Sequence, residues 1–398
     1  MRVMSVIVVV LLALLVLLGV ACIGRPVVGY RDPQDAKATG LCEDDELNCS
    51  DFGEPPTYPE FDTADFTGPP PCGDEVLEMS VAETATLDGL DLRCRTLDLT
   101  VAHAADVTLA RAQIDGAHIV LIGEGIAKVT LLAPIGSDAS ISVQGMSLLE
   151  LISVSEADNL RVDATSESIG WDVVVGNSVI DGLAVRTGPD ARLSLRESEL
   201  RNAVFEGGRV QLRAVTLSDS QLDAKDLDSS GTDIDDSELR ARRGTFLAGS
   251  LQNVRWDGCE SALINEAVAT GLDIGPCQAS PLELRSNTVS RSILRGHVFA
   301  LQTSVVTTIV GFETGASLSL FDSRLVESLL CSVEALAARG GTVLSCTRCA
   351  PHSPQAACID ESTSVAVVAC PTLVDTETCD EGLPPTLREP GDADDTGM

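Results

Sequence analysis

Three features of this 398-residue chain predict an all-β solenoid, a right-handed parallel β-helix. Apolar residues recur at five-residue spacing through the middle of the sequence. A short acid–serine phrase recurs at a longer spacing. Aromatic residues make up only 3% of the chain. A core of this size normally leans on Phe, Tyr and Trp, each of which buries a large area. A core built without them has to be thin and regular, filled by Leu, Val, Ile and Ala.

From Leu87 to Leu121 the chain divides into fives, such as Leu-Asp-Leu-Thr-Val and Val-Thr-Leu-Ala-Arg, with apolar or small residues at the first and third places. The pattern returns over 193–207. After a two-residue slip it runs over 210–229, centred on Leu212, Leu217, Leu222 and Leu227. It returns around Phe246, Leu251 and Trp256, over 282–301 and over 318–337. A helix does not fit, because a five-residue step leaves a net rotation of roughly 140° and the apolar stripe would spiral round the rod. A single long strand does not fit either, because an odd period moves the apolar row from face to face. A coil whose turns stack at strand spacing, ~4.8 Å, keeps every such residue inside.

The longer phrase reads Asn177-Ser-Val-Ile, Glu197-Ser-Glu-Leu, Asp219-Ser-Gln-Leu and Asp236-Ser-Glu-Leu, at spacings of 20, 22 and 17 residues, and Asp322-Ser-Arg-Leu repeats it later. Four fives make twenty, so the expected turn is square, with the acids in a ladder along one corner. Such acids cap nearby backbone N–H groups in turns. A converging set would instead offer oxygen ligands to Ca²⁺.

This middle segment resembles the pentapeptide-repeat family, whose consensus is a small residue, Asp or Asn, Leu, then two polar residues. Ala112-Gln-Ile-Asp-Gly116 and Val215-Thr-Leu-Ser-Asp219 carry the resemblance. Asp or Asn at the second place is mostly missing, and the block 122–192 loses the register. The resemblance implies a right-handed quadrilateral β-helix. A looser right-handed parallel β-helix and a Leu- and Ala-rich β-sandwich are the competing readings.

Ahead of the repeats, Met1-Arg2 is followed by an apolar run from Val3 to Ala21, the layout of a signal sequence. It ends Leu18-Gly19-Val20-Ala21-Cys22, which resembles a bacterial lipobox with Gly19 where Leu is usual. Three fates are open: lipidation at Cys22, retention as an uncleaved anchor, and cleavage with free secretion. About 19 apolar residues come close to spanning the ~30 Å hydrocarbon core. Residues 22–75 are rich in Pro, Gly and acids and read as an extended spacer. The repeat domain is expected over 76–345, a Cys-rich cap over 346–379 and a disordered acidic tail over 380–398.

The net charge is −33. Residues 22–75 hold 13 acids and 3 bases, and residues 350–398 hold 10 acids and 1 base. Nucleic acid and anionic lipid surfaces repel such a chain, so neither is an expected partner. An exported chain meets an oxidising compartment, where disulfides are the default use of cysteine. The candidates cluster at the ends: Cys42, Cys49 and Cys72, then Cys331, Cys346, Cys349, Cys358, Cys370 and Cys379. Cys94, Cys259 and Cys277 lie between. Cys346-Thr-Arg-Cys349 is a CxxC, a spacing also used for zinc and redox work, but no second CxxC follows it.

Catalytic constellations are scarce. His103 and His118 sit at the outward second place of their fives, and His297 and His352 are isolated. No Ser-His-Asp, HExxH or glycine-rich phosphate motif is present. No cofactor or metal is expected. The leading functional reading is a non-catalytic, membrane-tethered module that meets a protein or polysaccharide partner at the cell envelope. The alternative is a polysaccharide-acting lyase or hydrolase, which needs acids and bases gathered in one groove. A DNA-mimicking rod, known in the pentapeptide-repeat family, conflicts with export and with charge concentrated in the tails.

Overall fold

The computed structural model describes residues 49, 66, 68–165, 172–349, 354, 356–359 and 362–369. Through them the chain winds into a parallel β-solenoid of about 14 turns. Gln221–Asp235 shows the unit. It rounds three faces, here named A (221–224), B (226–230) and C (232–235). On the next turn Leu222 pairs with Leu239, Leu227 with Gly244 and Ile234 with Leu251.

The inward column of face A runs Leu97, Ile119, Ile141, Val162, Val185, Phe205, Leu222, Leu239, Trp256, Ile274, Leu294, Val310 and Leu330. Every member is buried. Burying each such side chain contributes about 1.5–3 kcal/mol. The strand Val343–Cys349 crosses the expected boundary at 345/346, and Ser364–Ala369 pairs with it in the same register.

The quadrilateral expectation is corrected: the described turns have three faces. The five-residue step is the distance from an inward residue on one face to an inward residue on the next, as in Leu195, Leu200 and Phe205. A variable insert then rounds the A–B corner. Three fives and a two-residue insert make the 17-residue turn that separates Ser220 from Ser237. The slip in the sequence pattern is that corner. Leu212, Leu217 and Leu222 thus make one turn, and Leu227 opens the next beside Val210. All four leucines are buried, so the inward register stands while the number of faces changes. Near the N-terminal end the corners are longer, with His118 and Ser140 22 residues apart and Asp163 and Arg186 23 apart. Those additions break the pattern over 122–192.

The B–C and C–A corners are each turned by a single residue of positive φ. Asn177 (50°), Glu197 (48°) and Asp322 (49°) stand on the B–C corner, whereas Asp219 (49°) and Asp236 (43°) stand on the C–A corner. The acid–serine phrase therefore marks two corners and not the single ladder expected. Short polar side chains tolerate this conformation best. The serine that follows is buried and satisfies the corner. Ser220 Oγ donates to the Ser218 carbonyl at 2.7 Å and accepts from the Ala203 N–H at 3.1 Å. Ser237 repeats the arrangement one turn on.

Most of the expected spacer lies outside the described residues, but its fixed points are against the solenoid. Cys49 is bonded to Cys331, 282 residues away, and packs with Ile309 and Leu329 on the outer side of face A. Phe66 is 1% exposed, with the Arg186 guanidinium 5.0 Å from its ring centre. A Cβ on Gly68 would fall 3.0 Å from Ser140 Cβ and 3.2 Å from Arg161 Cδ, and Cys72 is bonded to Cys94. Contacts thus move toward the first turn as residue numbers rise. Cys331 and Cys94 lie about twelve rungs apart, roughly 60 Å at strand spacing. Cys259–Cys277 joins neighbouring turns. Cys346, Cys349 and Cys358 are also disulfide-bonded, whereas Cys22, Cys42, Cys370 and Cys379 lie outside the described residues.

Candidate functional site

The solenoid narrows where its turns shorten. From Phe205 to Trp256 successive face-A partners are 17 residues apart. Longer corners at 188–191 and 275–281 stand on either side and leave hollows between them. One, of about 620 Å³, lies at the A–B corner, lined by Thr187, Pro189, Glu206, Gly207, Gly208, Asp223, Lys225, Arg240 and Arg242 among others. A second, of about 720 Å³, lies on face B, where Arg209, Asp226, Arg243, Gly244, Ser261 and Glu283 contribute. A third, of about 460 Å³, sits at the C–A corner around Asp236, Glu238, Asn253, Arg255 and Asp273. None of the three has an aromatic lining residue.

In-register pairing stacks outward side chains into rows. On face A the row reads Asp163, Arg186, Glu206, Asp223, Arg240, Asp257. Arg186 binds Asp163 at 2.9 Å and Arg240 binds Asp223 at 3.3 Å, leaving Glu206 between two ion pairs. On face B the row reads Asp172, Arg192, Arg209, Asp226, Arg243, Ser261. Arg192 binds Asp172 at 2.5 Å and Arg243 binds Asp226 at 2.6 Å.

Burial pushes the carboxyls of Glu206 and Asp223 above their ordinary values. For Glu206 the Arg186 charge opposes the rise, while Asp223 and Asp163 add to it. For Asp223 the charge and hydrogen bond of Arg240 and the charge of Arg242 oppose it. The floor beside them is bare backbone. A Cβ on Gly208 would fall 1.8 Å from the Pro189 carbonyl oxygen, and one on Gly207 would fall 2.5 Å from Thr187 Oγ1. Thr187 is 5% exposed, and its hydroxyl has no hydrogen-bond partner.

A raised carboxyl makes stability depend on pH. The Glu206 contribution is fully present below its ordinary value of 4.5 and is lost as pH rises through the higher folded value. Gln at this position cannot ionise. Glu206→Gln should therefore gain thermal stability relative to the parent between pH 4.5 and 7. A difference in Tm that stays constant over that range would remove the burial argument.

The histidines are not gathered. His103 Nδ1 lies 3.2 Å from the Glu124 carbonyl, His118 Nδ1 2.7 Å from Ser140 Oγ and His297 Nδ1 2.9 Å from Ser317 Oγ. His352 lies outside the described residues. Among the described residues no group of three His, Cys, Asp or Glu side chains is placed to hold a metal. The charged rows were missed in the sequence because their members are spaced by whole turns of unequal length.

No family model matches the chain, and no curated protein sequence matches it. Among solved structures, the A-module of mannuronan C-5 epimerase AlgE4 from Azotobacter vinelandii is similar at 12% identity, covering 69% of this chain and 87% of that one, with a TM-score of 0.18. A superposition that loose carries no argument about function.

Proposed function

We propose that the protein is an extracytoplasmic, membrane-tethered solenoid that acts as a non-catalytic binding module at the cell envelope. The observation that carries this reading is the pairing of the rows. Asp163 with Arg186, Asp223 with Arg240, Asp172 with Arg192 and Asp226 with Arg243 neutralise one another from rung to rung. Charges spent this way build a polar surface of mixed sign, suited to an extended partner. The disulfides support an oxidising compartment outside the cytoplasm. Because Cys49 is fixed at the far end of the solenoid, a tether through the N-terminus leaves from that end.

The half-buried carboxyls of Glu206 and Asp223 favour the second reading, a polysaccharide-acting enzyme, because shifted acids in a hollow are common at active sites. Incubation with envelope polysaccharides separates the two. No new reducing ends or unsaturated products are expected. Product formation lost in Glu206→Gln would establish the enzyme instead. The tether has its own test. Cys22→Ala should move the protein from the membrane fraction to the soluble one, whereas unchanged retention would replace the lipid with an uncleaved helix.

A further inference from the structure

We propose that the open edge of the first turn is a docking site for an extended basic segment of a protein partner, which joins the solenoid as one more strand. This rests on the binding-module reading and names the partner chemistry and the place where it binds.

Three observations converge on that edge. Glu75–Val81 pairs with Arg95–Val101 and Ala85–Asp88 pairs with Asp106–Ala110, and among the described residues neither first-turn strand has a neighbour on its other side. Such an edge presents a row of N–H and C=O groups that can take a further strand. The interior is also unfinished there. Leu97, Leu99, Val101 and Leu109 of the second turn are fully buried, whereas Leu77, Met79, Val81 and Leu87, stacked on them, are only partly so. Finally, the edge is acidic. From Gly73 to Leu92 there are six Asp and Glu residues and no Lys or Arg. Arg95 and Arg111 of the second turn neutralise Glu75 and Asp88. Glu78 stacks instead on Asp98 and then Val120, so its column carries two acids and no cation.

The register specifies the occupant. A strand continuing the parallel stack places apolar side chains over Leu77, Met79 and Val81 and cations over Asp74 and Glu78, which share the outward side. A second copy of this chain fits poorly, because its own first turn brings the same acids. Residues 22–48 of the chain hold six acids and three bases and meet the same repulsion. Nucleic acid and anionic lipid are repelled likewise. The Cys49–Cys331 bond sets the N-terminal tether near the opposite end, so the first turn is the tip that a partner meets.

The test uses the full chain with its disulfides intact and the labelled peptide Lys-Thr-Thr-Val-Lys-Val-Thr-Val. Fluorescence anisotropy should show saturable binding, and hydrogen exchange between 75 and 88 should slow when the peptide is added. Glu78→Lys, at an exposed position, should weaken binding about tenfold. The same peptide N-methylated at alternate residues keeps its charge but loses backbone donors, and it should also bind about tenfold more weakly. Equal binding of the two peptides, unchanged affinity in Glu78→Lys, or protection confined to residues before 74 and after 350 would overturn the docking site. Slow exchange at 75–88 in the free monomer would assign the edge to the chain's own segment, and a dimer lost in Glu78→Lys would assign it to a second copy; either result overturns the proposal. If the site fails while the parent and Glu78→Lys capture envelope material alike, the binding-module reading stands on another surface. Failure of the parent to capture any envelope component would remove both.

Discussion

Replacing Cys49 and Cys331 together with serine is expected to lower stability more than removing either of the short-range disulfides. Residues 49 and 331 are separated by 282 positions, so their bond restricts a very long loop in the unfolded chain. On loop-closure entropy such a bond is worth about 5.6 kcal/mol, against about 3 kcal/mol for Cys72–Cys94 and Cys259–Cys277, which close 22 and 18 residues. The larger figure is a ceiling, because a solenoid unfolds by stretches and the unfolded chain need not open along its whole length. A local term adds to it. Cys49 helps cover Ile309 and Leu329, apolar residues on the outer side of face A. Without the bond, those side chains meet water. Guanidinium unfolding of the oxidised protein should show the lower midpoint, and hydrogen exchange should show the first loss of protection around 309–331. A midpoint no lower than that of a Cys259→Ser/Cys277→Ser protein would mean that the long-range bond does not hold the N-terminal segment to the solenoid.

The solenoid itself was legible because its inward residues obey a local rule. Leu212, Leu217 and Leu222 are five apart, and each points inward from a different face. The number of faces was not legible, because a step of five serves a three-sided and a four-sided coil equally. Only the insert at the A–B corner decides it, and that insert varies from turn to turn. The same variation hid the rows. Asp163, Arg186, Glu206, Asp223 and Arg240 share no common period, and only backbone pairing brings them into line.

The docking of the N-terminal segment was hidden for a different reason. Its prolines and acids suit an extended spacer, and disulfide connectivity has no local signature. One signal was available. Phe52, Tyr58, Phe61 and Phe66 lie within fifteen residues, in a chain with only 8 Phe, 2 Tyr and 2 Trp. A solvated spacer has no use for such a concentration of large apolar side chains. Phe66, the described member of the group, is buried.

Trp256→Ala should produce the largest loss from any single core substitution in the narrow turns, because Trp256 fills space that no aliphatic residue there can reach. It belongs to the inward column of face A and is fully buried. Its indole N–H donates to the Ala241 carbonyl at 3.2 Å. The ring crosses the interior to Gly244 on face B of the turn before, where a Cβ would fall 2.1 Å from Trp256 Cζ2. Truncation should cost about 3–5 kcal/mol. Gly244→Ala attacks the same contact from the other side and should cost about 1–3 kcal/mol through overpacking. The two effects are not independent. Once the indole is gone, a methyl at 244 enters the vacated space, so adding Gly244→Ala to Trp256→Ala should be neutral or stabilising. A double-mutant cycle should therefore give a coupling energy of about 1–3 kcal/mol. Because each turn touches only its neighbours, hydrogen exchange in Trp256→Ala should rise first between 238 and 257. Simple additivity of the two substitutions would show that the glycine and the indole do not meet, and the narrow interior of these turns would then need another explanation.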